Sequence, residues 1–175
     1  MKSATFRLVI LAVVLFATFA APAAAQTSAS PTAALAADVG ELSDKFVGLA
    51  RVMAGKYDWR PGQGVRSVGE VFNLIVEENA MLNALMTGAP APRLGSAPAI
   101  TDPVKLQEAL RASYATLRQT LAGMSAADAG ATIQMFGRPS TKQAAATGLL
   151  FDQHEHLGQS IAYARTNGVA PPWAR

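Results

Sequence analysis

Apolar side chains recur at spacings of three and four along most of this chain, the periodicity of helices with one buried face. Leu35, Val39, Leu42, Phe46, Leu49 and Met53 form one such stripe and predict a first helix. Val68, Val71, Phe72, Ile75, Leu82 and Leu85 form another, which predicts a second helix from about Val68 to Met86. Leu106, Leu110, Tyr114, Leu117 and Leu121 mark a third, and a fourth runs from about Ser140 to Arg165. No stretch alternates for long enough to be read as a strand. The expected class is therefore all-α, with four main helices.

Punctuation residues agree with these boundaries. Ser67-Val68-Gly69-Glu70 has the Ser-x-x-Glu pattern of a capping box, in which serine and glutamate each satisfy an amide that the helix start leaves without a partner. Asp102 or Thr101 can cap the third helix, with Pro103 in the first turn where its missing N–H costs little. Ser125 to Ala129 reads as a short capped turn and Met135 to Pro139 as a connector. Ser140-Thr141-Lys142-Gln143 repeats the capping logic, while Asn167-Gly168 and Pro171-Pro172 supply the stop. Thr87 to Ile100, rich in Ala, Pro and Gly, is long for a connection and reads as a spacer or a lid.

The N-terminal end has another logic. Lys2 and Arg7 precede a largely apolar run from Leu8 to Ala20, followed by the small residues Ala21-Pro22-Ala23-Ala24-Ala25. Such a segment matches a cleavable export signal and falls short of the ~20 residues a spanning helix needs. Residues 1–25 are read as the signal, 26–32 as a flexible lead-in and 33–175 as the bundle. The expected location is periplasmic or secreted, with no stable membrane anchor after cleavage. Lys2 and Arg7 are the only charges of the signal, so the remainder holds 13 basic and 12 acidic residues, a net charge of +1. No basic cluster is left to attract a nucleic acid. The absence of cysteine excludes disulfides, thiolate metal sites and a thiol nucleophile.

Candidate chemistry gathers on the fourth helix. Asp152 and His156 are four residues apart and share a face, a line continued by Gln159 and Tyr163. His154 lies on another side and cannot share a metal with His156 without distorting the helix; it reads as a surface histidine near Glu155. On the second helix Glu77 and Glu78 are adjacent, so at most one can point fully inward. Trp59 and Tyr163 read as core aromatics with satisfied polar atoms. Gly62-Gln63-Gly64 lacks the strand and third glycine of a nucleotide loop, and no Gly-x-Ser-x-Gly elbow occurs.

Two stretches, Tyr57-Asp58-Trp59-Arg60-Pro61 running on to Val71, and His154-Glu155-His156-Leu157-Gly158-Gln159 running on to Pro171-Pro172-Trp173, resemble the DinB/YfiT-like family. That resemblance implies a four-helix bundle of up-down-down-up connectivity with a long crossover, and in many members a metal held by three histidines. The family's histidine on the second helix falls on Leu74, seven residues after the capping serine, and its pair on the fourth helix falls on Asp152 and His156. Leu74 has no donor atom, so the three-histidine site is absent as such. Glu78, one turn after Leu74, can join Asp152 and His156 in a substitute set of two carboxylates and one imidazole. Gly158-Gln159 matches the family's Gly-Gln step, and a close helix contact at Gly158 would suffice to explain it.

The resulting expectation is an exported, non-catalytic DinB-like protein with a degenerate metal site and no bound cofactor, lined by Leu74, Gln159 and Tyr163 and open to a small ligand between helices. The alternative is a metal-dependent hydrolase or thiol-transferase-like enzyme using His156, Asp152 and Glu78 with zinc, nickel, iron or manganese. A third reading is a bundle whose outer faces form a homodimer or dock a partner. Intact-mass measurement of the exported protein is expected to show a chain beginning near Gln26; recovery of a full-length membrane-bound form would contradict the signal.

Overall fold

A computed structural model describes residues 30–174; the expected signal and the first part of the lead-in lie outside the described residues. Four long helices build the molecule: α1 (Ala33–Val52), α2 (Val68–Thr87), α3 (Pro103–Ala122) and α5 (Lys142–Thr166). A short 3₁₀ turn, Ala54–Lys56, follows α1, and between α3 and α5 lie α4 (Ala126–Gly130) and a hairpin of β1 (Thr132–Met135) and β2 (Arg138–Thr141). The class remains all-α, and the hairpin corrects the expectation of a plain connector around Met135 to Pro139.

Local chemistry explains the helix starts. Ser67 caps α2 by accepting from the Glu70 amide at 3.2 Å, and Glu70 returns the bond by accepting from the Ser67 amide at 2.6 Å, the reciprocal pair of a capping box. Asp102 caps α3 at Lys105, and Ser125 caps α4 at Asp128. At α5 the cap is Thr141, which accepts from the Ala144 amide at 3.1 Å. This corrects the cap expected at Ser140 by one residue: Ser140 and Thr141 both lie in β2, paired with Ile133 and Thr132, and it is Thr141 that turns the chain into the helix. The hairpin turns through Phe136 and Gly137, both at positive φ (51° and 75°), the backbone of a two-residue turn that follows the twist of its strands.

Cross-helix contacts fix the directions. Thr32, just before α1, donates to the carbonyl of Leu121 near the end of α3, and Gly40 lies under the Arg118 guanidinium, so these helices are antiparallel. Asn79 meets Ser113 and Asn83 meets Thr120, so α2 and α3 run the same way. Lys142, opening α5, donates to the carbonyl of Met86 near the end of α2, and Tyr163, late in α5, reaches Arg66 just before α2, so these two are antiparallel. The order is up-down-down-up. α1 and α2 each pack on α3 and α5 and stand diagonally across the bundle.

Parallel α2 and α3 require a return along the bundle's length, which gives the long segment between Thr87 and Pro103 its reason as a spacer. Asn73 fastens it, donating to the carbonyl of Ile100 at 3.1 Å and accepting from the Ile100 amide at 2.8 Å, while Glu77 accepts from the amide of Gly95. The core beneath is continuous, with Phe46 stacked on Tyr114 and edge-on to Phe72. Asn73→Ala removes both bonds to Ile100 and is expected to cost about 1–3 kcal/mol in denaturant unfolding, with faster amide exchange between residues 88 and 102.

Candidate metal centre

Antiparallel packing of α2 on α5 sets Glu78 opposite Asp152 and His156. One ligand atom from each of the three lies within 4.8 Å of the others. Glu78 is buried, at 4 % side-chain exposure; His156 is mostly covered, at 16 %, and Asp152 half-exposed, at 49 %. Only one of the adjacent glutamates points inward, because Glu77 is taken by the crossover segment.

The distances carry information. His156 Nε2 stands 3.8 Å from Glu78 Oε1 and 3.7 Å from Asp152 Oδ2. Both separations are too long for hydrogen bonds. Two atoms each about 2.1 Å from a shared ion stand roughly 3–4 Å apart, so the gaps have the width that an intervening cation fills. Glu78 Oε2 is buried and has no hydrogen-bond partner among the described residues. A buried carboxylate oxygen left in this state is costly. Three acceptors around an orphaned oxygen fit a divalent cation.

The electrostatics agree. Burial first, and then the charge of the Asp152 carboxylate, push the Glu78 carboxyl up to about 8, against the opposing pull of the Gln153 amide and the Arg66 guanidinium. Without a metal, Glu78 therefore holds a proton at neutral pH.

The outer face of the imidazole is equally defined. His156 Nδ1 meets Gln159 Oε1 at 3.0 Å, Gln159 Nε2 donates to the Tyr163 hydroxyl at 2.7 Å, and that hydroxyl donates to the Arg66 carbonyl at 3.2 Å. Trp59 packs edge-on against the Tyr163 ring at 5.3 Å. Gln159 thus meets the histidine from behind, and Tyr163 holds Gln159 without reaching the site itself. Leu74 is half-buried one turn before Glu78 and brings no donor. Gly158 makes no close approach: nothing would lie within 4 Å of an added Cβ, and the residue is exposed. His154 pairs across the bundle with Asp38 of α1, at 2.9 Å, rather than with Glu155. The cleft of about 370 Å³ between Tyr57, Asn73 and Ile100 is lined by other residues than these.

The sequence reading missed a second polar layer. Tyr114 donates to Gln153 Oε1 at 3.1 Å, Gln153 donates to Asn79 Oδ1 at 2.9 Å, Asn79 donates to Ser113 Oγ at 3.0 Å, and Ser113 donates to the Leu110 carbonyl. Its signal was present: Asn79 and Gln153 occupy positions on the apolar stripes of their helices, where a polar residue requires a partner.

The sequence profile of the DinB superfamily matches residues 43–160. The chain belongs to the DinB superfamily. Two solved structures share the fold. A DinB-like protein from Bacillus cereus ATCC 10987 has a TM-score of 0.66 at 17 % identity, over 77 % of this chain and 91 % of that one. The DinB-like protein YjoA from Bacillus subtilis has a TM-score of 0.63, also at 17 % identity, over 77 % and 92 % of the two chains. No curated protein matches. Within the DinB fold this chain presents a Glu-Asp-His set that can hold a metal.

A raised carboxyl pKa makes stability depend on pH. Folded Glu78 keeps its proton up to about 8, whereas the unfolded chain loses it near 4.5, so the folded state binds more protons between those values. The metal-free protein is therefore expected to lose stability as pH rises from about 4.5 to about 8, by up to a few kcal/mol at ~1.4 kcal/mol per unit. Glu78→Gln should flatten that slope in urea titrations at stepped pH.

Proposed function

We propose that this DinB-superfamily protein binds one divalent transition metal through Glu78, Asp152 and His156. The observation that carries the reading is the Oε2 of Glu78, buried and without a hydrogen-bond partner among the described residues, in a group where His156 Nε2 stands 3.8 Å from Glu78 Oε1 and 3.7 Å from Asp152 Oδ2 and a ligand atom of each residue lies within 4.8 Å of the others. Glu78 takes over, one turn later, the place where the family resemblance puts a histidine and this chain has Leu74. Two carboxylates and one imidazole form a harder donor set than three imidazoles and favour manganese, iron or zinc over softer ions.

When bound, such an ion supplies Lewis-acid chemistry and lowers the pKa of a coordinated water. The protein's part is to hold two negative charges and a neutral imidazole in a partly dry site, with the half-exposed Asp152 marking the side open to solvent and substrate. This supports a hydrolytic or group-transfer reaction rather than a passive bundle. Export, inferred from the N-terminal segment, would place that chemistry outside the cytoplasm.

A second reading has its own support. Leu74 removes a donor, and a proton on Glu78 neutralises the site without any metal. That leaves a metal-free bundle with a polar pocket for a small ligand.

Calorimetric titration of the chelator-treated protein with manganese, iron(II) and zinc separates the two. Stoichiometric binding is expected, abolished by His156→Ala and weakened at least ~100-fold by Glu78→Gln. Binding should release a proton from Glu78 and tighten as pH rises towards 8. Leu74→His, which adds a donor on the same face of α2, should strengthen zinc binding. Heat at background level for the unmodified protein with all three ions would establish the metal-free reading instead.

A further inference from the structure

We propose that Gln159 and Tyr163 are positioning residues that hold His156 in the Nδ1–H tautomer, so that the Nε2 lone pair faces Glu78 and Asp152. The backbone carbonyl of Arg66 can only accept. It receives the Tyr163 hydroxyl hydrogen at 3.2 Å. With that hydrogen committed, the Tyr163 oxygen can only accept from the side chain 2.7 Å away, so Gln159 must present its NH₂ there. The amide's other end, its carbonyl oxygen, is thereby turned to His156 Nδ1 at 3.0 Å. A carbonyl only accepts, so Nδ1 must carry a hydrogen. In the neutral ring Nε2 is then bare.

Turning the amide over would set its carbonyl oxygen against a hydroxyl oxygen whose hydrogen is engaged elsewhere, two acceptors within 2.7 Å. A backbone group that cannot rotate thus determines, through two side chains, which nitrogen of the histidine is free. The relay's far end is held as well: Arg66 immediately precedes the Ser67 capping box, and Trp59 packs against the Tyr163 ring. Carbonyl-anchored Nδ1–H is the arrangement by which metal-binding histidines are commonly oriented. The tautomer itself follows from the hydrogen bonds alone; its use in holding an ion rests on the metal reading above.

The test is nitrogen-resolved NMR of the ¹⁵N-labelled, metal-free protein at a pH where the imidazoles are neutral, with His154 as an internal reference. The expected spectrum shows a hydrogen-bearing Nδ1 and a bare Nε2 at His156. Tyr163→Phe, which keeps the ring and does not touch His156, should release the amide and convert His156 to a mixture of tautomers; Gln159→Leu should do the same. Neither should change the His154 signals or the helical dichroism. Both variants should bind manganese or zinc ~10–100-fold more weakly. A bare Nδ1 in the unmodified protein, or an unchanged His156 tautomer in both variants, would overturn the proposal. The locked tautomer in a protein that binds neither ion would sink the metal reading and leave the lock standing; ion binding without the lock would do the reverse.

Discussion

A carboxylate buried between α2 and α5, with one oxygen that nothing among the described residues satisfies, is the constraint around which this molecule is arranged. Removing a carboxylate from water is expensive unless a cation or strong donors replace the water. Glu78 has an imidazole and a second carboxylate within reach, but His156 Nε2, 3.8 Å from Oε1, is too far to donate to it, and Oε2 has no hydrogen-bond partner among the described residues. The site therefore calls for a cation. A proton meets the need in part, and a divalent ion meets it for all three residues.

Topology delivers that juxtaposition. Because α2 runs against α5 while α1 stands diagonally across, the middle of α2 has α5 as its neighbour on one side and α3 on the other. Glu78 and Asn79 are consecutive, as are Asp152 and Gln153. The first member of each pair faces the candidate site and the second enters the buried chain from Tyr114 to Ser113. Two adjacent residues on a helix point about 100° apart, so a single rotation of α2 and of α5 satisfies both sets at once. The hydrogen-bonded layer thus fixes helix rotation, and the charged layer depends on it. Burial of Tyr114, and next the charge of Glu78, raise the tyrosine's pKa, which keeps its hydroxyl a donor to Gln153.

What could be read from the sequence divides along the range of the interactions. The four helices, the capping box at Ser67 and the cap at Asp102 depend on neighbours three or four residues away, and periodicity reveals them. The Glu-Asp-His set was legible because Asp152 and His156 share a face and Glu78 follows the family's ligand position by one turn. The hairpin was not, because each strand has only four residues and its turn is Phe136-Gly137 rather than the familiar Asn-Gly. The Ser140-to-Gln143 pattern places the cap of α5 one residue too early, because β2 runs on through Thr141 and the helix starts only after it. The Asn79–Gln153 contact, the His154–Asp38 pair and the relay to the Arg66 carbonyl span 74, 116 and 97 residues, beyond any local pattern. Gly158 shows the opposite error, a motif position credited with a close contact that the exposed helix face does not make.

In the proposed metal centre Glu78, Asp152 and His156 surround a cation. Anomalous diffraction from crystals of the protein grown with manganese, recorded at a wavelength where manganese scatters strongly, is the decisive measurement. The account requires one strong peak bounded by Glu78 Oε2, an Asp152 oxygen and His156 Nε2, with Gln159 still on Nδ1. A map with no peak there, and with His156 Nε2 moved to within hydrogen-bonding distance of Glu78, would contradict it.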